Sequence, residues 1–224
     1  MGSPNAKSKA VKTIISNNNY VVQSMNQAHR KEGKLIIFTA PSGAGKTTIV
    51  RHLLKTRTDI AFSISACTRA QRSGEVNGLD YHFMSVSEFQ KKVEEGKFLE
   101  WEEVYENQFY GTLIEEVEQL RTLGKHVIFD MDVKGAWQIK KKYKEDACTI
   151  FVKPPRPDIL LERLSNRKTD DLASIHKRFF RAKEELIHEE RFDVSLINDV
   201  LAVTLKEAEN IVAGFIENGI QKVL

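Results

Sequence analysis

From Lys34 onward, short apolar runs alternate with stretches whose apolar residues recur every three or four positions. That alternation predicts a parallel sheet covered by helices, because strands buried on both faces read as continuous apolar runs while the covering helices keep one apolar stripe. Leu35–Thr39 is a predicted buried strand, followed by a helix over residues 47–56. Further strands are predicted at 62–65, 127–129, 149–152 and Val194–Ile197. Helical spacing covers 160–164, 174–190 and 205–217. Thr112-Leu113-Ile114-Glu115 has the form of a capping box, opening a helix that Gly124 would end.

Residues 75–111 break this rhythm. There, 81–84 and Phe98–Tyr105 predict short antiparallel strands flanking a helix over 88–95, with Ser85-Val86-Ser87-Glu88 as its capping box. The pattern describes a small α+β subdomain inserted into an α/β core. No internal repeat is present.

Composition narrows the class. With 224 residues, 41% hydrophobic and 29% charged, the chain is globular and buries roughly 70% of its unfolded surface without staples. Its longest apolar run, Leu35-Ile36-Ile37-Phe38, is far short of the roughly 18 residues of a membrane span. The two cysteines, Cys67 and Cys148, have no metal-binding or redox spacing, which fits a reducing, cytoplasmic setting. Residues 1–34 hold six of the 34 cations and one of the 31 acids, leaving 28 cations against 30 acids in the rest. A nearly neutral body excludes the basic face of a nucleic-acid binder. The leader, residues 1–33, lacks the apolar core of a secretory signal and is expected to be an ancillary extension.

Two segments carry the chemistry. After the first strand comes Ala40-Pro41-Ser42-Gly43-Ala44-Gly45-Lys46-Thr47-Thr48. This is the P-loop pattern G-x-x-x-x-G-K-[ST], with Ala40 in the first glycine's place. Small residues let backbone N–H groups close around phosphate oxygens, and the next helix aims its positive end at the same anion. Lys46 would reach the β- and γ-phosphates and the Thr47 hydroxyl would ligate Mg²⁺. A predicted strand ends in Asp130-Met131-Asp132, which sets a carboxylate beside that ion. Two Asp at i and i+2 are expected to share one side of the strand. Following the second predicted strand, Arg69 and Arg72 stand three apart near hydroxyls and Gly74, a spacing suited to a second phosphate.

Together these motifs resemble the guanylate kinase family over about residues 34–218. The resemblance rests on Ser-Gly-x-Gly-Lys, Thr-Arg-x-x-Arg-x-Gly-Glu, Gly-x-Asp-Tyr-x-Phe, Phe-Leu-Glu-Trp, Tyr-Gly-Thr and Asp-x-Asp. It implies a P-loop NTPase-like α/β core with a GMP-binding insert at 67–111 and a helical lid at 161–189. The core would be 34–66, 112–160 and 190–218. The implied reaction moves the γ-phosphoryl group of ATP to GMP (and dGMP), giving ADP and GDP with Mg²⁺, in purine metabolism. Carried over by motif, Arg69, Arg72, Tyr81 and Tyr110 would hold the GMP phosphate. Ser65, Glu100, Thr112 and Asp132 would surround the guanine. Lys46, Arg163, Arg167 and Arg178 would be catalytic, Asn198 would border the adenine, and Asp130 would reach the metal through water.

Three features depart from the family pattern: Cys67 where Thr is usual, Gln71 where Pro is usual, and Lys168 where Gly is common. The loop 102–109 also carries one extra residue. No His fits a nucleophile or metal pattern, and none is needed, since a phosphate monoester with a second pKa of about 6 is largely dianionic at pH 7. Nucleotides are the expected partners, with no nucleic acid and no membrane; the sequence sets no oligomeric state. A non-catalytic scaffolding relative or another nucleoside monophosphate kinase are the alternatives. The intact Lys46, Thr47 and lid arginines oppose the first, and the Arg69/Arg72 and Tyr81/Glu100/Tyr110 set opposes the second.

Overall fold

The computed structural model describes residues 32–41, 43–165, 180, 182 and 184–220. Five strands form a parallel sheet: β1 (Leu35–Thr39), β2 (Ile60–Phe62), β7 (His126–Met131), β8 (Ala147–Lys153) and β9 (Val194–Ile197), in the order β2-β7-β1-β8-β9. Every residue of β1 is buried, as expected for a central strand with helices on both faces. Alternate residues serve opposite faces. Ile36 and Phe38 pack with Ile49, Val50 and Leu53 of α1 (Lys46–Thr56) and with Val212 and Phe215 of α6 (Leu201–Asn218). Leu35 and Ile37 pack with Val117 of α3 (Ile114–Thr122) and with Ala136 and Ile139 of α4 (Val133–Tyr143).

A second sheet, in the order β4-β3-β6-β5, joins β3 (Ala66–Cys67), β4 (His82–Phe83), β5 (Phe98–Tyr105) and β6 (Gln108–Leu113). The helix α2 (Val86–Glu94) covers it through Phe89, which stacks on Phe98 at 4.3 Å and on Phe109 at 5.5 Å. Ser85 caps α2 by accepting from Glu88 N at 3.1 Å, as its capping box predicts. Cys67 is fully buried here, paired with Phe83 on one side and Tyr110 on the other.

Several local expectations need correcting. The second strand lies at Ile60–Phe62, earlier than 62–65, because Ser63 N closes the ladder to Ile128 O and the chain then crosses toward the second sheet. The 81–84 segment pairs parallel to β3, not antiparallel, while β5 and β6 form the antiparallel hairpin. Thr112 does not cap α3. It belongs to β6, its hydroxyl donates to Glu100, and Leu113 stands at the cap without a side-chain bond. α4 has no counterpart among the predicted elements. Asp132 is its N-cap, accepting from Lys134 N at 2.8 Å and Gly135 N at 2.9 Å. The 102–109 loop is the β5–β6 hairpin, turning at Asn107 with φ 58°, and a register shift between Glu103 and Tyr105 takes up an added residue. Ser42, Arg167, Lys168, Arg178, the leader up to residue 31, and residues 174–179, 181 and 183 of the expected 174–190 helix lie outside the described residues.

The connections from neighbouring β1 and β7 leave in opposite directions, β1 toward β2 and β7 toward β8. Such a switch opens a crevice at the carboxyl ends of the strands. One strut behind it is Asp193, which accepts from Thr149 N at 2.8 Å and Thr149 Oγ1 at 2.7 Å and pairs with Lys140 at 2.9 Å. Among the described residues, no helix is long and apolar enough to cross a membrane.

Candidate active site

The loop from Ala40 to Gly45 joins β1 to α1 at that crevice. Gly43 and Gly45 have φ of 91° and 93°, a left-handed backbone that side chains resist. Ala40 is buried and is not among the positive-φ residues, so its methyl is accommodated where the motif has glycine. Gly45 N-caps α1 with no side-chain cap and no acid in the first turn, which leaves a positive helix end facing the crevice. Asn198, just after β9, is buried and donates from Nδ2 to Ala44 O at 2.7 Å. It therefore braces the loop from behind, and a side chain at Gly45 would run into that amide nitrogen.

Asp130, at the end of β7, meets this loop. Its Oδ1 pairs with Lys46 Nζ at 2.5 Å, and its Oδ2 accepts from Thr47 Oγ1 at 2.7 Å. Lys46 also donates to Met131 O at 2.8 Å. A hydroxyl and a carboxylate converging beside a helix N-terminus are hard oxygen donors, and they fit a divalent cation of the magnesium type. Asp132 has different partners. It caps α4 and lines a cavity of about 200 Å³ with Glu100, Trp101, Glu102, Lys134, Gly135 and Gln138. The strand ends at Met131 and the helix begins at Val133, so Asp132, still extended in backbone, also serves as a helix cap.

Inside that cavity, Glu100 accepts from Thr112 Oγ1 at 2.6 Å. Burial pushes its carboxyl above the usual range. The Thr112 hydrogen bond opposes this, while the charges of Asp132 and Glu102 add to the rise. Gly135 packs closely here: a Cβ on it would stand 3.2 Å from Glu100 Oε2 and 3.3 Å from Met131 Sδ, so those side chains would have to give by a few tenths of an ångström.

A third cluster lies on the second sheet. The Arg69 guanidinium sits 4.8 Å from the centre of the Tyr81 ring and 5.4 Å from that of Phe83, and Tyr81 meets Tyr110 edge-on at 6.1 Å. Arg72 is exposed at the turn below. Ser65 lies at the junction of the two sheets, its carbonyl accepting from His82 N at 2.9 Å. Arg163, on α5 (Pro157–Ser165), donates from Nη2 to Asn198 O at 2.9 Å; its Nη1 is buried with no hydrogen-bond partner among the described residues.

A family model described as guanylate kinase matches residues 32–214. The chain belongs to the guanylate kinase family. The guanylate kinase of Porphyromonas gingivalis is 44% identical over 184 residues, covering 82% of this chain and 98% of that protein. That of Chlorobium chlorochromatii is 41% identical over 184 residues, covering 82% and 96%. The crystal structure of guanylate kinase from Anaplasma phagocytophilum matches with a TM-score of 0.66 at 26% identity, over 84% of this chain and 89% of that one.

Two acidic residues of this guanylate kinase fold escaped the sequence reading. Glu75 accepts from both terminal nitrogens of Arg69, at 2.7 and 2.6 Å. Glu116 accepts from Ile64 N at 2.7 Å and bonds His82 Nε2 at 2.8 Å, tying the junction to the second sheet. Glu75 stands inside a quoted motif, so a signal existed. Nothing local marks Glu116, whose partners lie 52 and 34 positions away.

Proposed function

We propose that the chain is an ATP:GMP phosphotransferase that recycles GMP, and dGMP with it, to the diphosphate in the cytoplasm. One observation carries the reading. Three consecutive residues at the end of β7 serve both halves of the crevice: Asp130 and the Met131 carbonyl contact Lys46, and Asp132 lines the Glu100 cavity. Donor phosphates at the loop and a base beside Glu100 would thus lie end to end.

In this reading the ATP phosphates lie in the loop 40–48, and Asn198, whose amide braces that loop, borders the adenine. Arg69, Arg72, Tyr81 and Tyr110 take the GMP phosphate, and Ser65, Glu100, Thr112 and Asp132 surround the guanine. Guanine offers two donors on one edge, N1–H and N2–H₂, and an ionised Glu100 accepts both; adenine presents a lone pair at N1 instead. The acceptor phosphate is already a dianion at neutral pH, so the protein supplies alignment and positive charge in place of a base. Lys46 and Arg163 contribute that charge, joined by Arg167 and Arg178 from a lid over 161–189 that excludes water on closing. The Thr47 hydroxyl and, through water, Asp130 would hold magnesium brought with ATP, and the ion would supply positive charge against the phosphates. The division into core, insert at 67–111 and lid belongs to the same proposal.

A coupled ADP-release assay with GMP, dGMP, AMP, CMP and UMP tests it. GMP and dGMP are expected to turn over, with the other three poorer by several powers of ten. Comparable turnover of AMP, or no turnover of GMP, would overturn the reading.

A further inference from the structure

Two arginines bare to solvent would sample many rotamers, and a phosphate would have to order both on binding. In this structure one of them is already ordered. Glu75 receives Arg69 in a two-point fork, Nη1 to Oε2 at 2.7 Å and Nη2 to Oε1 at 2.6 Å, and both side chains are mostly buried. Arg69 Nη1 also donates to Ala70 O at 3.0 Å. The same Glu75 Oε2 accepts from Arg72 N at 2.8 Å, and Glu75 N returns to Arg72 O at 3.2 Å. Gln71 Nε2 closes the turn onto Glu75 O. Between them Gly74 takes φ 89°, which the tight return requires.

We propose that Glu75 is a positioning residue for the acceptor phosphate, with Gln71 as its support: it fixes the Arg69 guanidinium and the Arg72 backbone in one geometry before the nucleotide arrives. Gln71 holds by a side-chain bond the turn that the family pattern stiffens with Pro. This rests on Arg69 and Arg72 receiving the GMP phosphate, as proposed above.

A carboxylate beside a phosphate site repels the ligand, so an electrostatic account and a positioning account predict opposite signs. If Glu75 merely competes with phosphate for Arg69, removing its charge tightens GMP binding. As a positioning residue, its removal loosens GMP binding. The Arg69 fork and the Arg72 N–H hold the Glu75 carboxyl down at about 2, so it is ionised throughout the working range. Its replacement therefore shifts KM without changing the shape of the pH profile.

The experiment measures steady-state kinetics of wild type, Glu75→Gln, Glu75→Ala, Gln71→Ala and Gln71→Pro, with thermal melts as a check on folding. Expected is a rise in KM for GMP of three- to tenfold in Glu75→Gln and more than tenfold in Glu75→Ala. KM for ATP stays within twofold and kcat falls less than threefold. Gln71→Pro, whose ring stiffens the turn, binds GMP more tightly than Gln71→Ala. A KM for GMP in Glu75→Gln equal to or below wild type would overturn the positioning role. So would parallel changes in KM for GMP and ATP. Loss of GMP turnover in wild type would instead sink the functional reading beneath it.

Discussion

Glu100→Gln separates recognition from stability in one substitution. The side chain keeps its volume, and Thr112 still has a partner for its hydroxyl, now 2.6 Å from Glu100 Oε1. What goes is the negative charge and one of two acceptors. Hydrogen bonds to a charged group contribute about 1.5–3 kcal/mol each, against about 0.5–1.5 kcal/mol for a neutral pair. Losing one bond and weakening the other costs about 2–4 kcal/mol, a drop of about 30- to 1,000-fold in kcat/KM for GMP. An amide offers one donor and one acceptor, which match N1 and N6–H of adenine, so AMP should gain relative to GMP. Stability moves the other way. Burial raises the folded-state pKa of Glu100, so wild type loses stability as pH rises through that raised value. The Gln variant has no such loss. Ligand-free Glu100→Gln should therefore melt higher than wild type at pH 8, with the gap closing as pH falls below the ordinary carboxylate range. Kinetics with GMP and AMP, and thermal melts from pH 4 to 8, check both arms. An unchanged GMP:AMP ratio would refute the base assignment, and a variant that melts lower at pH 8 would refute the burial argument.

Lys46→Ala should lower turnover by several powers of ten while the thermal melt stays close to wild type, because among the described residues the lysine's polar partners are Asp130 and Met131 O beside an open crevice. Gly45→Ala should cost about 1–2 kcal/mol from the left-handed backbone alone, with more from collision with Asn198; calorimetry reads the drop in Tm. Asp193→Ala takes the counter-ion from Lys140, which keeps its bond to Ala147 O, and the acceptor from the N–H and hydroxyl of buried Thr149. The expected loss is about 2–4 kcal/mol, or about 5–15 °C in Tm for a chain this size.

The sequence was most legible where one local rule governs. β1, β5 and β9 fall within the expected bounds because a buried or half-buried strand writes itself as an apolar run or alternation. Ser85 acts as its capping box predicts because a cap is a contact over three residues. Thr112 obeyed the same local pattern yet went elsewhere, since a buried carboxylate in a neighbouring strand offers its hydroxyl a stronger partner than a helix end. Asp132 has a role that the sequence pattern does not show: it is the N-cap that opens α4. The loop 40–48 was legible through glycine chemistry, but its brace from Asn198 spans 154 positions and leaves no local trace.

The Glu100 cavity has walls belonging to different bodies. Glu100 and Thr112 come from the second sheet, Asp132 and Gly135 from the end of the first. A purine lodged between them would act as a rivet, pinning the two halves at one spacing. Choosing the base and aligning the chain for transfer would then be a single event, and an ill-matched base would be rejected twice, held weakly and leaving the halves unpinned.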